Sequence, residues 1–325
     1  MAIKLLSRSS HVSSHYFQRT WMLYLMLVLP IAFFAVFRYI PMTNIVIAFK
    51  NYNIFQGVWA SNPNPCPPTG HTVGCSHWVG FQFFQQAFQN RAFYSALRNT
   101  IVLNVLDLLM GFPAPIILAI ILNEIKINWY KRIVQTIVYM PHFLSWIIIS
   151  AMATMLLAPG GGVINIFLLG MGLNPINFLM DTTLWVFTYV GLGIWRSMGW
   201  GTIIYLAAIA GINPELYEAA EADGAGRFRK IWHVTLPGIR STAVVLLILN
   251  LGTLLGSEFD RPFNLQNARV MRVADVISTF VYRVGIRSFQ FSYTAAIGLF
   301  QSVICVLFLV TANAMAKKFG ERGIW

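Results

Sequence analysis

Three ionisable side chains interrupt long apolar stretches of the sequence, namely Asp107, His142 and Arg196. A charge in hydrocarbon is costly, so such residues normally face a polar cavity and mark the path of a polar solute or a proton. Asp107 and Arg196 are therefore candidate pathway residues. The two could instead form a structural ion pair between membrane spans, which is the interpretation we favour for Asp107.

Two tryptophans, Trp195 and Trp200, flank Arg196 in the stretch GLGIWRSMGWG. Aromatic faces stack on sugar rings, so Trp195 joins Arg196 as a candidate for a saccharide pathway. A tryptophan near the end of a span also serves as an anchor at the membrane interface, and both interpretations stay open.

The second group of reactive residues lies in the Pro/Gly-rich stretch SNPNPCPPTGHTVGCSHW. Cys66 and Cys75 would form a short disulfide if this stretch faces an oxidising compartment, which is the interpretation we favour. His71 and His77 would complete a set of four zinc ligands with the two cysteines, but their spacing matches no paired zinc-knuckle pattern. Two unpaired thiols are the third alternative.

The segment 211–240 is the only long stretch in which acidic and basic residues are interspersed. Asn213 followed by Pro214 predicts a helix start, because the Asn side chain can cap the first turn and proline is preset to helical φ. Gly224 predicts a left-handed stop for this helix. We expect a second short helix over residues 227–233, which Pro237 ends before the next membrane span.

The two short helices of this segment would form a compact hairpin that presents a surface to another protein. Ala219 and Ala220 would let a partner approach closely. Large apolar side chains suited to anchoring a partner are Leu216, Tyr217, Phe228 and Trp232. A mixed-charge hairpin lying on lipid headgroups is an equally good interpretation of this composition.

The composition identifies the elements that must position these residues. Of the 325 residues, 57% are hydrophobic and only 10% are charged, and the mean hydropathy is +0.64. A soluble domain carries about 25% charged residues, so this chain cannot cover its surface with polar side chains in water. A soluble enzyme and a disordered tail are excluded, and an all-α polytopic membrane protein is predicted.

Six apolar runs are long enough for membrane helices of about 20 residues. They cover residues 21–37, 100–122, 133–157, 184–210, 241–256 and 293–316. We expect Pro141 to bend the third run without ending it. The predicted organisation is a cytoplasmic segment 1–20, a first transmembrane helix 21–40, an external loop 41–98, a five-helix core 99–316 that includes the segments 211–240 and 257–292, and a tail 317–325.

The basic residues predict the orientation of the chain. With the N-terminus inside, thirteen of the 23 Lys and Arg residues fall on cytoplasmic segments, which favours an inner-membrane protein with both termini in the cytoplasm. The formal net charge is +12. No basic run is dense enough to follow a phosphate backbone, so contact with anionic lipid explains the charge and no nucleic acid is expected.

The segment 211–240 resembles the EAA coupling loop found in permease subunits of binding-protein-dependent ABC importers. The matching residues are Glu218, Ala219, Ala220, Gly224, Val234, Leu236 and Pro237. Val234 stands where that family usually has Ile. The stretches VFRYIPMTNIVIAFKNYN, GSEFDRPFNLQN, VADVISTFVYRVGI and FSYTAAIGLFQS and the terminal GIW extend the resemblance to the oligosaccharide and polysaccharide branch of carbohydrate permeases. The Cys66 to His77 stretch does not match that branch.

The resemblance implies that ATP binding and transport are carried out by different subunits. The chain has no G-x-x-x-x-G-K phosphate loop, so ATP and Mg²⁺ would be bound by two partner ATPase subunits, with no cofactor or metal on this chain. Further implied partners are a second and different permease subunit, an extracytoplasmic solute-binding protein, an oligosaccharide and membrane lipid. Glu218 would contact the ATPase, Ala219 and Ala220 would form the close-approach surface, and Gly224 would be the hinge.

The external segment 258–290 holds five arginines and three acidic residues. A positively lined vestibule would concentrate an anionic saccharide, which predicts an acidic oligosaccharide of the uronate type, such as an alginate fragment. The arginines could instead contact acidic residues of the solute-binding protein.

Two other function classes compete with the importer. A membrane-embedded transferase using His142 with Asp107 would need an acid or base and a nucleophile in one cleft, which no spacing indicates. A passive channel would need repeated polar rings, and the sequence shows none.

Overall fold

The structure is a computed structural model that describes residues 8–54, 57–59, 76–256, 258–321 and 323–324, with side chains described from residue 20 onward. Cys66, His71 and Cys75 lie outside the described residues. The disulfide and its zinc and free-thiol alternatives therefore stay predictions.

The first of two units covers Met1–Phe83 and begins with one long helical run. Helix α1 (Arg8–Phe34) continues through a π-helical segment (Ala35–Tyr39), α2 (Ile40–Met42) and a 3₁₀ segment (Thr43–Phe49). The apolar part, Thr20–Phe49, has 30 residues and is longer than the predicted span 21–40. Pro41 does not end it, because a π-helical segment precedes α2 and its wider turn accommodates the proline ring and the missing donor.

The second unit covers Phe84–Trp325 and contains the remaining helices. Helix α3 (Gln82–Gln89) crosses the boundary between the units. The others are α4 (Arg91–Leu106), α5 (Pro113–Glu124), α6 (Asn128–Tyr139), α7 (Trp146–Leu157), α8 (Val163–Gly170), α9 (Thr182–Ala210), α10 (Pro214–Ala222), α11 (Arg227–Lys230), α12 (Leu236–Gly252), α13 (Asp260–Leu265), α14 (Met271–Ala274), α15 (Ile277–Val281) and α16 (Phe291–Lys318). Within the described parts of the chain, no strand is found beyond the isolated bridge Lys50–Trp78.

The long helices confirm the predicted all-α polytopic membrane class. In the part of the chain that the structure describes, four runs are long and apolar enough to cross a membrane, and they are Thr20–Phe49, Arg91–Glu124, Arg227–Gly252 and Phe291–Lys318. A fifth is formed if the bent pair α6 and α7 is counted as one span. Helix α9, with 29 residues, has the length of a crossing but carries Arg196 in its middle.

The third predicted span is broken, so the expectation that Pro141 only bends it is wrong. The axes of the segments Asn128–Phe143 and Trp146–Leu157 differ by 105°. The chain tightens into a 3₁₀ turn over Met140–Phe143, and Leu144 is extended. Ser145 then caps a new helix by accepting from the Ile148 N–H at 3.4 Å, so the sequence signals an end and a fresh start within six residues.

Pro237 also behaves differently from the prediction, since it does not end a helix. The run Arg227–Gly252 is continuous over 26 residues. A π-helical segment, Ile231–Thr235, precedes the proline, which stands in the first turn of α12. The wider π turn accommodates the proline ring and its missing donor. The cytoplasmic loop therefore continues into the next span without a break in the helix.

Helix α9 lies at the centre of the second unit and packs against α5, α6 and α12. It meets α5 closely, where the Thr202 hydroxyl donates to the Pro115 carbonyl at 3.2 Å. Its buried side chains include Trp185, Tyr189 and Tyr205. Since α9 carries Arg196, the candidate pathway residue is held by a helix that packs against three others.

We expect Gly199→Ala to destabilise the second unit, because α9 crosses α6 in direct backbone contact at Gly199. A Cβ at this position would overlap the carbonyl group of Val138, which is backbone and cannot rotate away. Overpacking of this kind costs about 1–3 kcal/mol. A thermal melt of the detergent-solubilised chain, read by size-exclusion chromatography, should show an earlier loss of the monodisperse peak.

Gly191→Ala is the matched control in the same helix, because nothing lies within 4 Å of the added Cβ. This variant should melt at or slightly above the wild-type temperature, since alanine favours helix by up to about 1 kcal/mol relative to glycine. Equal melting temperatures for the two variants would contradict the close crossing of α6 and α9.

Candidate functional site

A cavity of about 490 Å³ opens in the second unit between α4, α5, α7, α9 and α12. Its aromatic lining residues are Phe112, Trp146, Tyr189, Trp200 and Tyr205. Its polar lining residues include Asn104, Asp107, Arg196, Ser197, Asn250, Glu258 and Arg261. Aromatic faces together with amide, hydroxyl and charged groups are suited to bind a polar, ring-shaped solute.

Asp107 forms an ion pair with Arg261 across the cavity wall. The terminal nitrogens Nη1 and Nη2 of Arg261 donate to the two carboxylate oxygens at 2.6 and 3.1 Å, a bidentate geometry. Arg261 also donates to the Tyr189 carbonyl, and its Cζ lies 3.6 Å from the centre of the Tyr189 ring. The structural ion pair predicted for Asp107 therefore exists, but Arg196 as its partner is wrong.

The local backbone explains how Asp107 reaches this position. Asp107 is the first residue of a π-helical segment, Asp107–Gly111, that joins α4 to α5. A π bulge shifts the following side chains around the helix axis and is frequent at functional sites.

Arg196 also lines the cavity, and its partner is Glu258, 3.6 Å away. Its Nε donates to the Leu144 carbonyl at 3.1 Å, at the break between α6 and α7. The Cζ atoms of Arg196 and Arg261 lie 4.9 and 5.2 Å from the centre of the Trp146 ring. Two guanidinium groups thus share one indole, and the sequence reasoning missed both Trp146 and the cavity position of Arg261.

Trp195 does not line the cavity, so its assignment to the pathway is not supported. Its side chain is 37% exposed, and the neighbouring tryptophan, Trp200, faces the cavity instead. Trp200 stacks on His142 with ring centres 4.6 Å apart. His142 itself is not among the lining residues, and the structure does not bring it to Asp107 as the transferase alternative required.

The segment 211–240 forms the second candidate site. Helix α10 begins after Asn213, whose side chain accepts from the Glu215 N–H at 3.1 Å, with Pro214 in the first turn as predicted. Gly224 has φ +74°, which confirms the predicted left-handed stop. The N–H of Gly224 donates to the Glu221 carbonyl at 3.0 Å and that of Ala225 to the Ala220 carbonyl at 2.9 Å, the bond pair of a Schellman motif.

Two side-chain contacts stabilise the hairpin formed by α10 and α11. Lys230 donates to the Glu221 carboxylate at 3.0 Å. This hydrogen bond and the nearby positive charge hold the pKa of Glu221 below its usual range. The hydroxyls of Tyr217 and Thr235 are 3.0 Å apart and join α10 to the π segment below it. The hairpin is therefore suited to transmit a displacement to the span that follows.

Three large apolar side chains of the segment 211–240 are exposed in this chain. Leu216 is 54% exposed, Phe228 88% and Trp232 69%. Glu218 and Ala219 are also exposed, and Ala220 is half-buried. Large exposed aromatic side chains around a small-residue patch are typical of a protein–protein contact. In the rest of the motif, Pro237 is exposed and Leu236 is half-buried.

Two ion pairs join the segment 211–240 to other residues that are predicted to be cytoplasmic. Arg227 lies 3.6 Å from Glu124 at the end of α5, and Arg240 lies 2.6 Å from Glu321 after α16. These contacts agree with the predicted grouping of the loop and the tail 317–325 on one side.

The external segment differs from the predicted vestibule of five arginines. Arg261 is 6% exposed and paired with Asp107, and Arg283 is paired with Asp275 at 2.5 Å. The three remaining arginines, Arg269, Arg272 and Arg287, are exposed. Among the described residues, no group of three or more His, Cys, Asp or Glu side chains could hold a metal ion.

Comparison with known proteins gives one family and several relatives. Residues 111–320 match the family model described as the binding-protein-dependent transport system inner membrane component. The polygalacturonan/rhamnogalacturonan transport system permease protein YteP of Bacillus subtilis (strain 168) is 43% identical over 303 residues, which are 93% of this chain and 90% of that protein.

Two solved structures are similar to this chain over nearly its whole length. One is a bacterial alginate ABC transporter in complex with an alginate pentasaccharide-bound periplasmic protein, with 36% identity, a TM-score of 0.83, and coverage of 95% of this chain and 99% of that chain. The other is a bacterial ABC transporter involved in import of the acidic polysaccharide alginate, with 37% identity, a TM-score of 0.82, and coverage of 94% and 98%.

Proposed function

The chain belongs to the family of binding-protein-dependent transport system inner membrane components, and we propose that it moves an acidic oligosaccharide of the uronate type by alternating access. As a carbohydrate ABC importer permease it is a multi-pass membrane subunit that works with a solute-binding protein. It is a transporter subunit and not an enzyme, and permeases of this kind carry no cofactor themselves.

The observation that carries the substrate proposal is the cavity in which two arginines, Arg196 and Arg261, lie 4.9 and 5.2 Å from the centre of the Trp146 ring. Aromatic faces stack on sugar rings, and a guanidinium group binds a carboxylate with geometry that an ammonium lacks. The similarity to an importer of the acidic polysaccharide alginate supports the same substrate class for this chain.

The coupling proposal assigns the hairpin of α10 and α11 to two partner ATPase subunits that bind ATP and Mg²⁺. Glu218 is the charged contact, Ala219 and Ala220 are the close-approach surface, and Gly224 lies at the junction of the two helices. The exposed apolar side chains of this segment, Leu216, Phe228 and Trp232, support this assignment. Closure of the ATPases would move the hairpin, and the continuous helical run Arg227–Gly252 would carry that movement into the membrane.

The proposed assembly contains a second, different permease subunit, with both termini of this chain in the cytoplasm. Ion pairs that join the hairpin to Glu124 and Arg240 to Glu321 support a common side for the loop and the C-terminal tail. The three exposed arginines of the external segment, Arg269, Arg272 and Arg287, favour contact with acidic groups of the solute-binding protein as their role.

Uptake of two matched probes tests the substrate proposal. The full transporter, with its partner permease, ATPases and solute-binding protein, is reconstituted in vesicles and supplied with trigalacturonate or with its neutral methyl ester. We expect ATP-dependent uptake of the acid to exceed that of the ester by about tenfold or more, because the cavity favours a negative charge.

Two controls accompany this measurement. Vesicles without ATP should take up neither probe, because the energy comes from the partner subunits. Binding of each probe to the isolated solute-binding protein is measured in parallel, so that its own preference can be separated from that of the permease. Equal uptake of acid and ester would contradict the acidic substrate.

A further inference from the structure

The two arginines beside Trp146 differ in how completely their charges are satisfied. Arg261 is buried, makes two hydrogen bonds to Asp107, donates to the Tyr189 carbonyl and covers the Tyr189 ring. Its Nε is the one group left without a hydrogen-bond partner. An incoming carboxylate would have to displace a bidentate partner that is already in place, so Arg261 is a structural cation in the cavity wall.

Arg196 is held from one side and loosely paired on the other. The Leu144 carbonyl accepts from its Nε at 3.1 Å, and Trp146 lies beneath its Cζ at 4.9 Å. Its Nη1 is 3.6 Å from Glu258, which exceeds the 2.7–2.9 Å of a charge-assisted hydrogen bond. The Glu258 side chain is 47% exposed and that of Arg196 is 23% exposed.

We propose that Glu258 occupies the place of the substrate carboxylate on Arg196 while the cavity is empty, and that Arg196 determines specificity once Glu258 is displaced. This inference rests on the proposed function and deepens it. Leu144 and Trp146 keep the guanidinium oriented when Glu258 leaves, so the receptor is organised before the substrate arrives. Only Glu258 has to move, because its ion pair with Arg196 is long and its side chain is exposed.

The arrangement also explains how the cavity would reject neutral sugars. An unpaired guanidinium in a membrane cavity is costly, and Glu258 supplies its counter-charge while the cavity is empty. A substrate carboxylate can take over that role, but a hydroxyl or an ester cannot. A neutral sugar would have to break the ion pair between Arg196 and Glu258 without supplying a new counter-charge. The cavity therefore discriminates against neutral sugars, because binding them would leave the guanidinium group unpaired.

Substitutions at the two positions test the proposal in the reconstituted transporter with trigalacturonate and its methyl ester as probes. Glu258→Gln removes the competitor, and the acid should half-saturate uptake at a concentration up to about tenfold lower, with a raised acid-to-ester ratio. Arg196→Gln should lower the acid-to-ester ratio by about tenfold or more, and Arg196→Lys should recover it only in part.

Arg132→Gln is the matched control, since Arg132 is exposed on α6 and does not line the cavity. It should leave both uptake rates unchanged. Amounts of each variant in the membrane are measured first. Glu258→Gln is nearly isosteric at an exposed position, so it decides the proposal even if Arg196→Gln fails to fold.

The outcomes separate this inference from the proposed function. A wild-type transporter without preference for the acid would overturn the substrate class and, with it, the role of Glu258. If the wild type prefers the acid but Glu258→Gln weakens acid uptake, Glu258 is a substrate-binding or structural group and not a competitor. An unchanged acid-to-ester ratio in Arg196→Gln would likewise overturn the proposal alone.

Discussion

Glu218→Lys should abolish uptake while the chain still inserts into the membrane in normal amounts. Glu218 is exposed on α10, and among the described side chains its carboxylate has no ion-pair partner. Charge reversal at such a position changes the stability of the chain by no more than about 0.5 kcal/mol. At an interface, however, a reversed charge meets like charge and costs several kcal/mol, so uptake should fall by more than about tenfold.

Two controls define what the loss of uptake means. Glu218→Gln removes the charge without reversing it and should give an intermediate rate. Glu215→Lys reverses a charge one turn earlier on the same helix, where the carboxylate accepts from the Asn213 side chain at 3.0 Å. It should weaken the helix start and leave the coupling surface intact.

The measurement is ATP-dependent uptake together with co-purification of the ATPase subunits. Loss of both in Glu218→Lys would assign the defect to docking, and loss of uptake alone would assign it to transmission through the hairpin. Wild-type uptake in this variant would refute the assignment of Glu218 to the ATPase contact.

Features fixed by short-range chemistry were predictable from the sequence. Asn213 and Pro214 define a helix start and Gly224 a helix end, because each acts on backbone groups within one turn. The same short-range logic failed at Pro237. A proline ends a helix only when its missing donor and its ring find no accommodation, and a π turn immediately before it supplied that accommodation.

Long-range pairing could not be predicted in the same way. Asp107 and Arg261 are 154 positions apart, and the sequence offers Arg196 as an equally reasonable partner for Asp107. The choice depends on where α9, α13 and the π segment place three side chains in space. The extra residue of a π turn alters that placement, and hydropathy patterns do not report it.

Asp107→Asn should strongly destabilise the chain. It keeps the size of the side chain but leaves the guanidinium of Arg261, which is 6% exposed, without a counter-charge. Removing one partner of a buried ion pair costs about 3–5 kcal/mol, because a charge remains in a medium that cannot solvate it. A thermal melt of the purified chain in detergent should show a large decrease in melting temperature.

Glu221→Gln is the control for this measurement, because it breaks an ion pair of similar length at the surface. Glu221 is 74% exposed in its side chain and lies 3.0 Å from Lys230. Solvent screens such a pair, so the melting temperature should not change measurably. An unchanged melting temperature in Asp107→Asn would show that the pair with Arg261 is not formed in the membrane protein.

The double variant Asp107→Leu with Arg261→Met separates stability from transport. Replacing both charges by apolar side chains of similar size removes the desolvation cost, and buried ion pairs replaced in this way often lose no stability. The double variant should therefore melt close to the wild type. If it does so and still transports trigalacturonate, the pair is structural and Arg196 alone carries the substrate charge. If it melts normally but takes up neither probe, Asp107 and Arg261 form part of the solute path.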